Sequence, residues 1–502
     1  MNWDRNRRVM ERWFIEGRLE LTTPTSLGNG DDDPLVDLPI VVDALQGRPL
    51  LTGASLAGAL RAYVADFDAE GATALFGGAR RDATGEQSAL IVEDALGVGD
   101  KLLIELRDGV SIDPTTRTAK EDERYDRQLL EAGTTFDLGF ELVVTEKPAR
   151  DTDQAAGADD SSPLRPALAR ALYGLQRGDI RLGGRKRRGY GQCRVVEWRA
   201  WRYPLTQPDG FRGWLAHGRP ALTGHQPAQW SWTTGDGGQG ILDWPALRGV
   251  ALPDRRDLPF KLSATFDIDG AVLIRAGFET ESGPDAAHLR SRRGGQDVPV
   301  MSGTSLAGVI RSQALRIART LDKSGEQRAE ALVESMFGVM QKPRRDTTRE
   351  ERRNLTRRAS RVTVDECVIT GQQDIVQTRV KIDRFTGGAS ESALFAEQPA
   401  FGGAFTLGLS LRAPRAEEVG LLLLVLKDLW TGFLPVGGSS SVGRGRLKGR
   451  EAKIEYDHKV WTMTASAEGQ VSLSPDGPAA AKALNDAVTA LRQHLNGGQH
   501  GG

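Results

Sequence analysis

Cysteine is almost absent from this chain. Only Cys193 and Cys367 occur in 502 residues, and neither belongs to a CxxC pair. This argues for a reducing cytoplasm and against a structural zinc site. Long apolar runs are missing too. Hydrophobic residues reach 39%, enough for ordinary cores, but no window holds the roughly 18 uninterrupted apolar residues of a membrane-spanning helix. The opening MNWDRNRRVMERW is charged with no apolar core behind it, so no secretory signal is expected. A surplus of one charge is also lacking: 66 Lys+Arg stand against 67 Asp+Glu, for a net charge of −1. A coat of positive potential is thereby excluded, and local clustering decides any affinity for nucleic acid.

What is present is present twice. LTGASLAGALR at 51–61 returns as MSGTSLAGVIR at 301–311, 250 positions later. LGGRKRRGYG at 182–191 returns as VGGSSSVGRG at 436–445, 254 positions later. Two unrelated motifs recurring in one order at nearly one offset imply tandem duplication of a whole domain. A solenoid, with repeats of about 20–50 residues, is excluded. The boundaries read as a first repeat over 1–200, a connector over 201–257, a second repeat over 258–455 and a tail over 456–502.

Each repeat follows one script. WFIEGRLELTT and FKLSATFDI read as opening strands by period-two alternation. Ser55 and Ser305 are expected to start the first helices. SALIVEDA aligns with SRVTVDEC, VSIDPTTRTA with VKIDRFTGGA, and TFDLGFEL with AFTLGLSL. A second helix, the glycine-rich loop and a last strand complete each copy. The plan is β-α-β-insert-β-α-β, an α+β fold of two ferredoxin-like domains, as in RNA-recognition modules. The connector is expected to be ordered, because Trp201, Trp214, Trp230, Trp232 and Trp244 are costly to expose. The tail ends in a polar helix and QHLNGGQHGG, read as frayed.

Positive charge clusters at Arg185, Lys186, Arg187 and Arg188, at Arg290, Arg292 and Arg293, and through KPRRDTTREERRNLTRR from Lys342. The last run alternates sign and reads as a solvated face. The first lies inside the glycine loop. Glycines there permit positive φ and close backbone approach, and Ser439, Ser440, Ser441 and Arg444 occupy the second copy. The loop lacks a GK[ST] ending, so NTP hydrolysis is not expected. GxSLxG puts small residues and a serine at a helix start, whose N–H groups favour an anion. A capped helix with a glycine for close packing explains the same residues. Arg61 and Arg311 follow along that helix, able to reach phosphate or solvent.

The ordered set is specific. GxSLxG, the LFG at 75–77 with the MFG at 336–338, a strand ending in acidic residues, ID(P/R)xT and GGxxxxGxG together resemble the RAMP superfamily. More narrowly, the chain resembles the RNA-backbone subunits of type III CRISPR effectors, fused in pairs as in subtype III-D.

The resemblance implies a guide crRNA gripped by the helix start and glycine loop through Ser55, Arg61, Arg185, Lys186, Arg187, Arg188, Tyr190, Ser305, Arg311, Ser439, Ser440 and Arg444. It implies β-hairpin thumbs near 108–135 and 377–400, with Ile112 and Ile382 as wedges or as ordinary hairpin packing. It implies cleavage of complementary target RNA by one aspartate per repeat. Asp37 fits that pattern, and Asp285 is the best match in the second copy, which has lost a proline and gained about two residues. Asp31, Asp32, Asp33 and Asp43 are nearby rivals. RNA carries its own nucleophile, the 2′-hydroxyl, so one carboxylate acting as base or holding a weakly bound Mg²⁺ (or Mn²⁺) suffices. The implied partners are guide, target and other effector subunits, without a membrane. An alternative is a non-catalytic RNA-binding scaffold. A guide-processing nuclease using histidine is disfavoured, because none of His217, His225, His288, His458, His494 and His500 sits in a glycine loop or recurs in both repeats.

Overall fold

The computed structural model describes the chain apart from residues 1–7, 29–36, 79–84, 100–101, 114–115, 117, 147–162, 219–230, 235–239, 256, 277–282, 324–326, 341–356, 467–468, 476 and 498–502. Asp31, Asp32, Asp33, Trp230, most of the run from Lys342 and the last five residues therefore lie outside the described part. Alternation builds the first strand, β1 (Val9–Leu21). Trp13, Ile15, Leu19 and Leu21 point into one core, while Phe14 packs on the other face with Trp201 and Tyr203. The chain divides into two compact units. One comprises Met1–Glu105, Gln128–Gly184 and Gly191–Arg256. The other comprises Leu106–Arg127, Arg185–Tyr190 and Asp257–Gly502.

The first unit is built on β1, β2 (Leu90–Val92), β5 (Thr135–Thr145), β6 (Cys193–Pro204) and β7 (Ser231–Thr233); β3 (Ile104–Ile112) and β4 (Ala119–Leu130) form a separate two-stranded sheet, most of which, Leu106–Arg127, counts with the second unit. The main sheet runs β2-β5-β1-β6-β7, all antiparallel. Trp13 faces Leu142, Ile15 faces Phe140 and Leu19 faces Phe136. Helices α1 (Gly53–Ala65), α2 (Ala69–Phe76) and α3 (Leu164–Arg177) supply Leu56, Leu60, Leu75, Leu168, Leu172 and Leu175 to the same core. A short α4 (Pro208–His217) follows β6. The tryptophan-rich stretch belongs to this unit: Trp201 and Trp244 are buried, and Trp244 meets Trp13 edge-on with ring centroids 5.1 Å apart.

The second unit repeats the order. Its strands are β8 (Phe260–Asp269), β9 (Arg290–Arg293), β10 (Gln296–Met301), β11 (Val362–Val364), β12 (Gln377–Ile382), β13 (Ala389–Gln398), β14 (Ala404–Leu411), β15 (Arg446–Tyr456), β16 (Lys459–Ala465) and β17 (Val471–Ser474). The main sheet runs β11-β14-β8-β15-β16-β17, and β12 pairs antiparallel with β13. Helices α5 (Gly303–Leu321), α6 (Arg328–Phe337) and α7 (Ala416–Trp430) cover it.

The tail departs from its polar reading. Helix α8 (Pro478–Leu495) buries Ala487, Leu491 and Leu495 in the second core. Its apolar residues recur at helical spacing, so one stripe docks while the rest stays polar. Gly420 in α7 makes the approach possible: a Cβ there would lie 2.2 Å from the carbonyl oxygen of Ala487. Among the described residues, no helix is long and apolar enough to cross a membrane.

Candidate nucleic-acid interface

The glycine loops are twins in three dimensions. In the first, Gly183, Arg185, Gly189 and Gly191 have φ of 77°, 50°, 92° and 78°. In the second, Gly437, Ser439, Gly443 and Gly445 have φ of 85°, 59°, 88° and 78°. A single 3₁₀ turn, Lys186–Arg188 or Ser440–Val442, sits between the two left-handed residues. Both loops are anchored alike. Gly184 N–H donates to Ser26 O at 2.8 Å and Gly438 N–H to Leu273 O at 2.7 Å. At Gly191 and Gly445 a side chain is excluded, because a Cβ would lie 1.9 Å from Leu182 O or 2.0 Å from Val436 O.

The helix starts are twins as well, and they correct one expectation. The N-caps are Thr52 and Ser302, three residues before Ser55 and Ser305. Thr52 Oγ1 accepts from Ser55 N–H at 3.4 Å and donates to Ser55 Oγ at 2.9 Å. Ser302 Oγ does the same with Ser305, at 3.2 and 2.9 Å. A short hydroxyl side chain outside the first turn satisfies an orphan N–H that a residue inside the turn cannot reach. Neither helix has an acidic residue in its first turn, but the Asp94 carboxylate accepts from Gly53 N–H at 2.6 Å and so already meets the positive end of the α1 dipole.

The second unit gathers cations around the first glycine loop. Arg185 hydrogen-bonds to Tyr125 Oη and stacks on its ring, 4.5 Å from the centroid. Arg187 Nη1 donates to Thr363 Oγ1 at 3.3 Å. Removal from water, then repulsion from Arg187 and Arg412, lowers the pKa of Lys186. Arg188 is also lowered, first by desolvation and then by Arg185, with Arg311 adding to it. Cations that depress one another's pKa form a site that a polyanion stabilises. Changing Lys186, Arg188 and Arg311 together to Ala is expected to weaken RNA binding about 10–100-fold near physiological salt. It should flatten the plot of log affinity against log salt by about 2. An unchanged slope in filter-binding titrations would remove this cluster from the interface.

Other predicted contacts are spent internally. Tyr190 is buried, with the Arg107 guanidinium 5.8 Å above its ring. Arg444 is buried and reaches Glu397 at 2.9 Å and Gln377 at 3.0 Å. Arg61 donates to Gly78 O at 3.2 Å, just past α2. Arg311 and Ser440 are exposed, Ser439 half-buried. Ile112 and Ile382 are 54% and 56% exposed. In the first ID(P/R)xT stretch Asp113 accepts from Thr116 N–H at 3.0 Å; the second is a hairpin turn in which Asp383 accepts from Phe385 and Thr386 N–H at 2.9 and 2.8 Å. Those hydrogen bonds hold the Asp383 carboxyl below its ordinary pKa. Phe385, which the sequence reading passed over, is 83% exposed at the second tip beneath Arg384. Its signal was an aromatic residue inside a turn motif.

Asp37 and Asp285 occupy equivalent backbone positions. Ile40 bridges Gly28, and His288 bridges Arg275. Val41 N–H donates to Leu27 O and Leu289 N–H to Ile274 O, both at 2.7 Å. Each aspartate is exposed and stands three residues before its bridge, on a half-buried segment against the second strand of the hairpin. Gln128 N–H donates to Leu38 O at 3.1 Å, and Ala396 N–H to Asp285 Oδ2 at 2.6 Å. Asp43 accepts from Leu45 and Gln46 N–H in its own turn. Among the described residues, no three His, Cys, Asp or Glu side chains gather as a metal-binding group.

His288 is buried beside this segment, and burial pushes its pKa down to about 4. The folded state then resists a proton that the unfolded chain takes up near pH 6.5. Stability is full above that value and is lost as pH falls towards 4, by about 3 kcal/mol. Urea unfolding across this range should show the loss, and His288→Gln should remove most of it.

A search of curated proteins finds no match. A family model, the RAMP superfamily, matches residues 18–194 and 232–448. Those two stretches hold the helix starts and the glycine loops of both repeats, and the chain belongs to the RAMP superfamily as two fused domains.

Proposed function

We propose that this chain is a guide-binding backbone subunit of a type III CRISPR effector that cleaves complementary target RNA, once per repeat. Membership of the RAMP superfamily supports a CRISPR-associated, RNA-binding role. The four main strands of each unit lie in the order second, third, first, fourth, which supports a ferredoxin-like reading of both domains. The inserted hairpins, with exposed Ile112, Ile382 and Phe385, suit thumbs that part stacked nucleotides.

One observation carries the cleavage reading: an exposed aspartate recurs at the same backbone position in both repeats, beside the hairpin. A nucleotide turned out of the stack at that hairpin brings its 2′-oxygen in line with the adjacent phosphorus. The carboxylate takes the 2′-proton, the new 2′-O–P bond forms, and the 5′-oxygen leaves with a proton from solvent. The products are a 2′,3′-cyclic phosphate and a 5′-hydroxyl. A hydrated Mg²⁺ or Mn²⁺ shared between that carboxylate and RNA would stabilise the leaving oxygen.

The test is a guide-loaded complex with labelled complementary RNA, either all-ribose or carrying one 2′-deoxy nucleotide at a cut position. Each deoxy substitution should abolish one cut and spare the other. Binding without any cut would establish the alternative, a scaffold that only holds RNA.

A further inference from the structure

We infer that His288 is a positioning residue that ties the Asp285 segment to the glycine loop and the helix start of the second repeat. The inference rests on the proposed role of Asp285. His288 Nδ1 accepts from Ile274 N–H at 3.2 Å, which leaves Nε2 protonated to donate to Val300 O at 3.1 Å. These partners lie on different pieces of the site. Ile274 follows Leu273, whose carbonyl anchors the glycine loop at Gly438. Val300 stands two residues before Ser302, the cap of α5. The His288 N–H itself donates to Gln398 O at 2.8 Å, in register with Ala286 and Ala287 on β13. One imidazole therefore joins the aspartate segment, the loop anchor and the strand leading into the helix.

The first repeat shows what the position requires without the imidazole. Its equivalent is Ile40, whose buried apolar side chain contributes packing alone while its N–H donates to Gln128 Oε1 at 3.2 Å. The connection from that point to the cap runs from Ile40 to Thr52 in the first repeat and from His288 to Ser302 in the second, two residues longer. The longer path holds the β9–β10 hairpin and has more freedom to lose on ordering. A side chain at one end of this excursion that bonds Val300 near the other restrains it. The charged groups near the ring are Arg290 and Asp374, paired at 3.0 Å, with Asp297 on the same guanidinium at 3.0 Å. None supplies the two backbone hydrogen bonds. A carboxylate displaced by about 1 Å loses up to about a hundredfold in rate.

The experiment uses the guide-loaded complex, with native protein, Asp285→Ala, His288→Ala and His288→Gln. The first-repeat product is the internal control. His288→Ala should lower the second-repeat product about 10–100-fold relative to the first. His288→Gln, which can both accept and donate, should restore most of it. Hydrogen exchange gives a readout independent of cleavage: the Ala396 amide, bonded to Asp285, should exchange faster in His288→Ala, while the Gln128 amide should not change. Equal loss of both products would mean general loss of fold and overturn the inference. So would native cleavage and native Ala396 exchange in His288→Ala while Asp285→Ala removes its product. If Asp285→Ala removes no product, the reading of Asp285 fails first, and any role of His288 in cleavage falls with it.

Discussion

Asp37→Ala is expected to slow one of the two cleavage products by about 10²–10⁴-fold, the usual contribution of a positioned acid or base. Target binding should persist, because Asp37 is exposed and its loss removes no cation. Asp285→Ala should remove the other product, and the double variant should bind target and leave it whole. Asn at either position keeps the size and loses the basicity, so Asn should match Ala if proton transfer or metal charge is the function. EDTA should reproduce the double variant in native protein if a cation is shared with RNA. Identical product patterns from all variants in a gel assay would make these aspartates structural. The internal duplication sharpens the test, since each repeat serves as the other's control for folding and guide loading.

Glu366→Ala is expected to destabilise the second unit by about 3–5 kcal/mol, the largest stability effect of any single change considered. Glu366 has no exposed side-chain surface, and Arg107 retains 3%. Arg107 engages both carboxylate oxygens, with Nη2 at 3.1 Å from Oε1, and Arg293 Nη2 adds a second cation at 2.6 Å. Removing the carboxylate leaves two guanidinium groups close together in low dielectric. Replacing the pair, as Glu366→Leu with Arg107→Met, should recover most of the loss, because Arg293 is 16% exposed and can turn to water. Urea midpoints of the single and double variants measure this. A single variant within about 0.5 kcal/mol of native, the range of ordinary surface changes, would mean that water reaches the site. Arg107 lies in the first hairpin and Glu366 after β11, so the same change should also loosen the residues 106–127 that count with this unit.

The fold was legible where local pattern decides. Alternation in WFIEGRLELTT and FKLSATFDI marks strands whatever their neighbours, and the twin glycine loops announce themselves by spacing. Helix starts were nearly legible. TGAS and SGTS each offer two hydroxyl residues, and only geometry decides that the outer one caps. Tyr190 and Arg444 were misjudged as surface contacts because their burial depends on hairpin residues far along the chain, Arg107 for one and Gln377 with Glu397 for the other. Helix α8 looked polar because its fully buried residues are only Ala487, Leu491 and Leu495 among those described, and its docking depends on a glycine in α7.

The sequence by itself determined the duplication, the element types, the cation-bearing loop and the family, because motif order and short-range periodicity survive without any knowledge of contacts. Tertiary structure decided that Asp37 and Asp285, matched in the sequence across two extra residues before α5, stand at the same place relative to the backbone pairing at Ile40 and His288. It also decided which cations stay near solvent and which are consumed in buried pairs. Both are settled by the dielectric around a side chain, which is a property of what the rest of the chain places beside it.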